Sequence, residues 1–228
     1  MEPSDRFAEP PSERMFNAPL LPVLVAASMP VLFLLQTQMA DGGLSYALVP
    51  ADLWRGGWPT LFTSMLLHGD WVHALMNAVG ALAFGAPVAR LLAGPRGVLA
   101  FIGLYIVSGM LAALGYGLVH AGSEAPMVGA SGAVFGLIGA ATRLMGGAGR
   151  VLPLTDRRVI MSGIVWMAVN AVTGLVALTP GAEGPRIAWE AHAFGFLIGV
   201  LAIGPLARLF GRATSGFDSA GRLRDPAR

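Results

Sequence analysis

Residues 98–119, VLAFIGLYIVSGMLAALGYGLV, contain no charged side chain. A helix of about 20 apolar residues crosses the ~30 Å hydrocarbon core of a bilayer, and this run is one of several of that kind. Six spans are read, at approximately 19–39, 70–92, 98–119, 129–146, 158–178 and 190–210. The fourth is the shortest and the richest in glycine. Proline and glycine inside spans, as in MPVLF and GAPVAR, do not break the assignment, because neighbouring helices satisfy the freed backbone groups. The composition agrees: 55% of the 228 residues are hydrophobic and only 12% charged, too few to cover a soluble surface. The expected fold class is therefore an all-α membrane protein. Its organisation is a cytoplasmic N-terminal tail at 1–18, a six-helix membrane domain at 19–210 and a cytoplasmic, solvated tail at 211–228.

The 15 basic residues are all arginine, and a pI near 9.7 would suggest nucleic acid if they formed one patch. Their distribution gives a topology instead, since short cytoplasmic loops carry the excess of positive charge. With the N-terminus inside, thirteen arginines fall on inner segments, from Arg6 and Arg14 through Arg90, Arg143 and Arg158 to Arg228, while only Arg55 and Arg186 fall outside. Both termini are then cytoplasmic and a nucleic-acid partner is not expected. The absence of Cys removes disulfides, thiolate metal sites and a cysteine nucleophile. The first 17 residues resemble neither a cleaved signal nor a transit peptide, so the first span is expected to stay as an anchor, with a bacterial inner membrane as the best fit. The outer connection 40–69 and the start of span 2 hold Trp54, Trp58 and Trp71, and this connection is expected to lie partly in the outer leaflet.

Polar groups are costly in a bilayer, which makes each of them a candidate functional residue. Spans 2, 4 and 6 run from outside to inside, and their polar residues gather near their first turns: His68, His73 and Asn77, then Ser131, then His192. Span 4 carries small residues at Gly132, Gly136 and Ala140, and span 6 at Ala191, Gly195 and Gly199, a spacing that lets two backbones approach closely. Pressing those faces together brings Ser131 near His192, a base that would make the serine a nucleophile. His73 and Asn77, four apart on one helical face, could donate hydrogen bonds to an oxyanion, as could backbone N–H groups at the start of span 4. No triad acid is evident: Glu190 is expected to point elsewhere and Asp70 to lie at the membrane surface, which leaves a Ser–His pair. His120 has no partner that the sequence names. H-E-x-x-H, paired intramembrane aspartates and a G-x-S-x-G elbow are all missing, so neither a metal site nor an aspartyl or α/β-hydrolase mechanism is expected.

These residues resemble the rhomboid family of intramembrane serine proteases over about 50–205. LWRGGWPTLFTSMLLHGDWVHALMN is similar to that family's outer-loop Trp-Arg and H-x4-H-x3-N segment, GASG to its G-x-S-G motif, and AHAFGFLIG to its A-H-x2-G-x3-G helix. The resemblance implies a six-helix rhomboid-like bundle, Ser131 as nucleophile, His192 as general base, and His73, Asn77 and the backbone at Ser131 as oxyanion donors. It implies supporting roles for Gly129 and His68, no cofactor, and transmembrane proteins as substrates, cut near the outer face. Two positions depart from the pattern: a Glu common at the inner end of span 2 is Ala89, followed by Arg90, and a Tyr four residues after the nucleophile is Phe135. Two other readings compete. An inactive rhomboid-like protein that binds membrane-protein clients would have lost Ser131 or His192, and a transporter would carry polar groups through the full depth of the bundle.

Overall fold

The computed structural model describes residues 18–147, 149–176 and 188–211. The tails and Arg186 lie outside the described residues. Helix α1 covers Leu20–Gln36, α2 is a single turn at Thr60–Thr63, and α3 covers Trp71–Leu91. Then follow α4 at Gly94–Val119, α5 at Ser131–Thr142, α6 at Arg157–Val176 and α7 at Trp189–Phe210. The described residues form no strand; one isolated antiparallel bridge joins Leu48 to Met127. Helices α1, α3, α4, α5, α6 and α7 overlap the apolar runs read from the sequence; among the described residues α3, α4 and α7 are each long and apolar enough to cross a membrane, while α1 and α5 are shorter apolar helices. Apolar side chains on the outer faces, such as Leu24, Val72, Met76, Leu99 and Val165, are exposed, as a lipid-facing surface requires.

Local chemistry sets the helix starts. The Asp70 carboxylate caps α3 by accepting from the His73 N–H at 2.7 Å. In α4, proline in the first turn costs no hydrogen bond because that N–H has no helical partner. Glu190 in the first turn and Arg208 in the last turn of α7 complement its macrodipole.

Helix α5 is the centre of the molecule. At 12 residues it is about 18 Å long, shorter than the hydrocarbon core, and every residue from Gly132 to Thr142 except Phe135 is buried. Helices α3, α4 and α7 surround it. Its contact with α7 is backbone on backbone: a Cβ placed on Gly195 would meet the Gly132 carbonyl, and one on Gly199 the Gly136 carbonyl. The span expected to reach residue 146 stops at Thr142, and the reason is Arg143. Its guanidinium is tucked inward, Nε donating to Leu152 O at 2.8 Å and Nη1 to Val200 O at 2.9 Å, while Leu152 N–H returns to Arg143 O at 2.8 Å. These bonds close a tight loop on α7, where the sequence alone suggests an ordinary solvated arginine.

The 37–70 connection is built of short turns and is anchored at several points. Gln36 clamps the His68 backbone, with Oε1 accepting from His68 N–H and Nε2 donating to His68 O, both at 2.9 Å. Leu48 and Leu53 are fully buried, and Leu53 fills the space a side chain at Gly117 would need. Trp54 and Trp58 stay exposed and pack edge to face at 5.3 Å.

Candidate active site

Three segments meet where the loop before α5 ends. Leu48 and Met127 exchange backbone hydrogen bonds at 3.0 and 2.8 Å, and Gly129 N–H donates to Ser64 O at 2.9 Å, so the outer connection holds the approach to α5. Gly129 has φ +133°, which side-chain-bearing residues rarely adopt, and a Cβ there would lie 2.8 Å from the His73 ring. Both constraints require glycine at this position. The chain then turns into α5 with Ser131 as its first residue, beside backbone N–H groups that have no partner within the helix.

The Ser131 hydroxyl lies 2.8 Å from His192 Nε2. The glycine seam makes this possible, since α5 and α7 approach closely one turn below. Phe135, in the position of the absent tyrosine, lies flat on the His192 imidazole with centroids 4.3 Å apart and 5° between the planes. Trp166 of α6 meets Phe135 edge to face at 6.3 Å and Phe84 of α3 at 5.3 Å, bracing the stack from outside.

His73 presents its ring to Gly129. Gly69 N–H points at His73 Nδ1 from 3.3 Å, so Nδ1 accepts and Nε2 carries the proton of the neutral ring. The donor therefore faces the Gly129–Ser131 turn. Asn77 is buried, 5% exposed, and Nδ2 donates one hydrogen to His73 O at 3.1 Å, leaving a second. His68 is also buried, its ring 5.3 Å from that of His73, but neither of its ring nitrogens has a hydrogen-bond partner. It packs beside the donors and makes no bond to Ser131 or His192. Among the described residues, no three His, Asp or Glu side chains converge as they would round a metal ion.

Two findings go beyond the sequence reading. His120 has a partner: its Nε2 lies 3.2 Å from Glu190 Oε1, a bond from the end of α4 to the first turn of α7. The second is Asn170 of α6, 3% exposed, whose Oδ1 lies 2.7 Å from His192 Nδ1 and whose Nδ2 donates to Trp189 O at 2.7 Å. An asparagine inside an apolar run, MAVNAVTG, is the kind of signal that singled out Asn77, and the same rule could have found it.

Residues 50–209 match the rhomboid domain. A segment of 83 residues is 36% identical to the Bacillus subtilis (strain 168) protein named "Putative rhomboid protease YdcA", covering 36% of this chain and 39% of that relative. The aligned part is thus well under half of the relative's length. With the domain match extending over most of the chain, from the outer connection to the end of α7, the chain belongs to the rhomboid family.

Proposed function

We propose that this protein is an intramembrane serine endopeptidase that cleaves membrane-anchored proteins in or beside a transmembrane segment, near the outer face of a bacterial inner membrane. The observation that carries the reading is the 2.8 Å contact between Ser131 Oγ and His192 Nε2. In the first step Oγ attacks the scissile carbonyl while its proton passes to Nε2, and the carbonyl π electrons move onto oxygen. The Nε2–H of His73, the second amide hydrogen of Asn77 and the backbone N–H at Ser131 meet that oxyanion. Each such donor contributes on the order of 3 kcal/mol to the transition state. Collapse of the intermediate breaks the C–N bond as His192 returns the proton to the leaving amine. Water, deprotonated by His192, then hydrolyses the acyl-enzyme and regenerates Ser131.

A short α5 suits this chemistry. In a six-span bundle with both termini cytoplasmic, a 12-residue central helix leaves its first residue inside the membrane domain, near the level an unwound substrate helix would reach from the outer leaflet. Client binding without catalysis, the competing reading, gives no reason for a serine and an imidazole to be held at hydrogen-bond distance. The test uses a single-span substrate in liposomes together with a fluorophosphonate probe. Wild type should cleave and be labelled, whereas Ser131→Ala and His192→Ala should lose cleavage by at least about 1,000-fold. Cleavage that persists in Ser131→Ala would sink the mechanism.

A further inference from the structure

We propose that Asn170 is a positioning residue that holds His192 in the one neutral tautomer able to accept the Ser131 proton. This rests on the protease reading and adds to it a third member, supplied by a helix that carries neither Ser131 nor His192. The geometry fixes the direction of every bond. Asn170 Nδ2 lies 2.7 Å from the Trp189 carbonyl oxygen, which can only accept, so the NH2 group must face Trp189. Turning the amide over would set two oxygens against each other in a buried site, at a cost of a few kcal/mol. Oδ1 is thereby left facing His192 Nδ1 at 2.7 Å, and since Oδ1 has no hydrogen, Nδ1 must carry one. A neutral ring protonated at Nδ1 has its lone pair at Nε2, the nitrogen 2.8 Å from Ser131 Oγ. One backbone carbonyl thus sets the tautomer of the neutral base through two hydrogen bonds.

The anchor is itself built. Trp189 is the first residue of α7, and its indole lies against Gly174, where a Cβ would come within 2.6 Å of the ring. The Thr173 hydroxyl donates to Asn170 O at 2.9 Å on the same stretch of α6. Asn170 therefore reads the register of α6 against α7 and passes it to His192. Being neutral, it orients the ring without lending the imidazolium a full negative charge.

Two variants and one spectrum test this. Asn170→Leu keeps the branched heavy-atom skeleton, with bulkier methyl groups, but makes no hydrogen bond. It should lower kcat about 10- to 1,000-fold with KM within about twofold, and slow fluorophosphonate labelling in parallel. Asn170→Asp retains an acceptor for Nδ1–H but sets a second oxygen against the Trp189 carbonyl, so its kcat should lie between those of wild type and the Leu variant. A role in packing alone predicts the reverse order, with Leu tolerated. 15N NMR of histidine-labelled protein in detergent, with the His192 ring assigned by its loss in His192→Gln, should show Nδ1 protonated and Nε2 bare in wild type and a shifted or mixed tautomer in Asn170→Leu. A wild-type ring protonated at Nε2, or a Leu variant with wild-type kcat, overturns the proposal. If wild type neither cleaves nor labels, the protease reading fails, and the tautomer measurement still decides the role of Asn170.

Discussion

At the scale of single residues, the site depends as much on what is missing as on what is present. Gly129 lacks the Cβ that would press on His73, and Gly129→Ala adds it at a φ of +133° where a side chain is strained. The expected result is an activity loss of at least tenfold, against a change in melting temperature of only a few degrees, because about 1–3 kcal/mol of strain falls on the donor ring and not on the core. Cleavage assays and thermal unfolding of the same preparation separate the two. Phe135 bears on a different question. Its ring already stacks on His192 at 4.3 Å without a hydroxyl, so Phe135→Tyr should leave kcat within about threefold, while Phe135→Ala removes the stacking face and should cost about tenfold or more. Ser131, His192, His73 and Asn77 stand out in the sequence as candidates because they are polar residues in or beside apolar runs. Asn170 was as visible by that rule. What hid its role was geometry, since only the fold shows that α6 comes to the far side of the His192 ring.

At the scale of elements, the seam between α5 and α7 was legible from its four-residue spacing of small side chains, and the seam sets the distance on which the chemistry rests. Gly199→Val inserts a branched side chain against the Gly136 carbonyl. It should lower unfolding free energy by about 2–4 kcal/mol and reduce cleavage at temperatures where the protein stays folded. Gly103 is the control: it lies within α4 with nothing near its Cβ position, so Gly103→Ala should stabilise by about 0.5–1 kcal/mol. Differential scanning calorimetry in detergent reads both. The turn after α1 gives a pH prediction. The Asp41 carboxylate accepts from Ser45 and from the Gly43 N–H, and these bonds, Ser45 first, hold its pKa at about 2 against an ordinary 3.8. A folded pKa below the unfolded one means that the turn's stabilisation is present above pH ~4 and is lost as pH falls through about 2. An NMR titration of Asp41 with a midpoint near the ordinary value would show those bonds absent. The end of α5 was not legible. Arg143 reads as a loop cation, and only its bonds to the Leu152 and Val200 carbonyls show why the helix stops four residues early.

At the scale of the whole molecule, the fold gives a common end to the polar groups but does not say which side of a membrane that end faces. A direction is expected from the sequence alone, which puts thirteen arginines on segments read as inner and two on segments read as outer. The two kinds of information meet at two exposed loop positions. Gly122 lies between α4 and α5 on the active-site side, with open space where a Cβ would go, and Arg150 lies between α5 and α6 at the opposite end. The chain has no cysteine, so a single cysteine at either place reports on that place alone. In intact spheroplasts, Gly122→Cys should react with a membrane-impermeant maleimide, and Arg150→Cys only after the membrane is opened. Both variants should keep wild-type cleavage, since neither residue touches the site. Because Ser131 is the first residue of a buried 12-residue helix, a Ser131→Cys variant should react in neither direction as fast as Gly122→Cys, and should be slowed further by a bound substrate. Labelling of Arg150→Cys from outside would invert the topology and place the proposed cleavage on the cytoplasmic side of the bilayer.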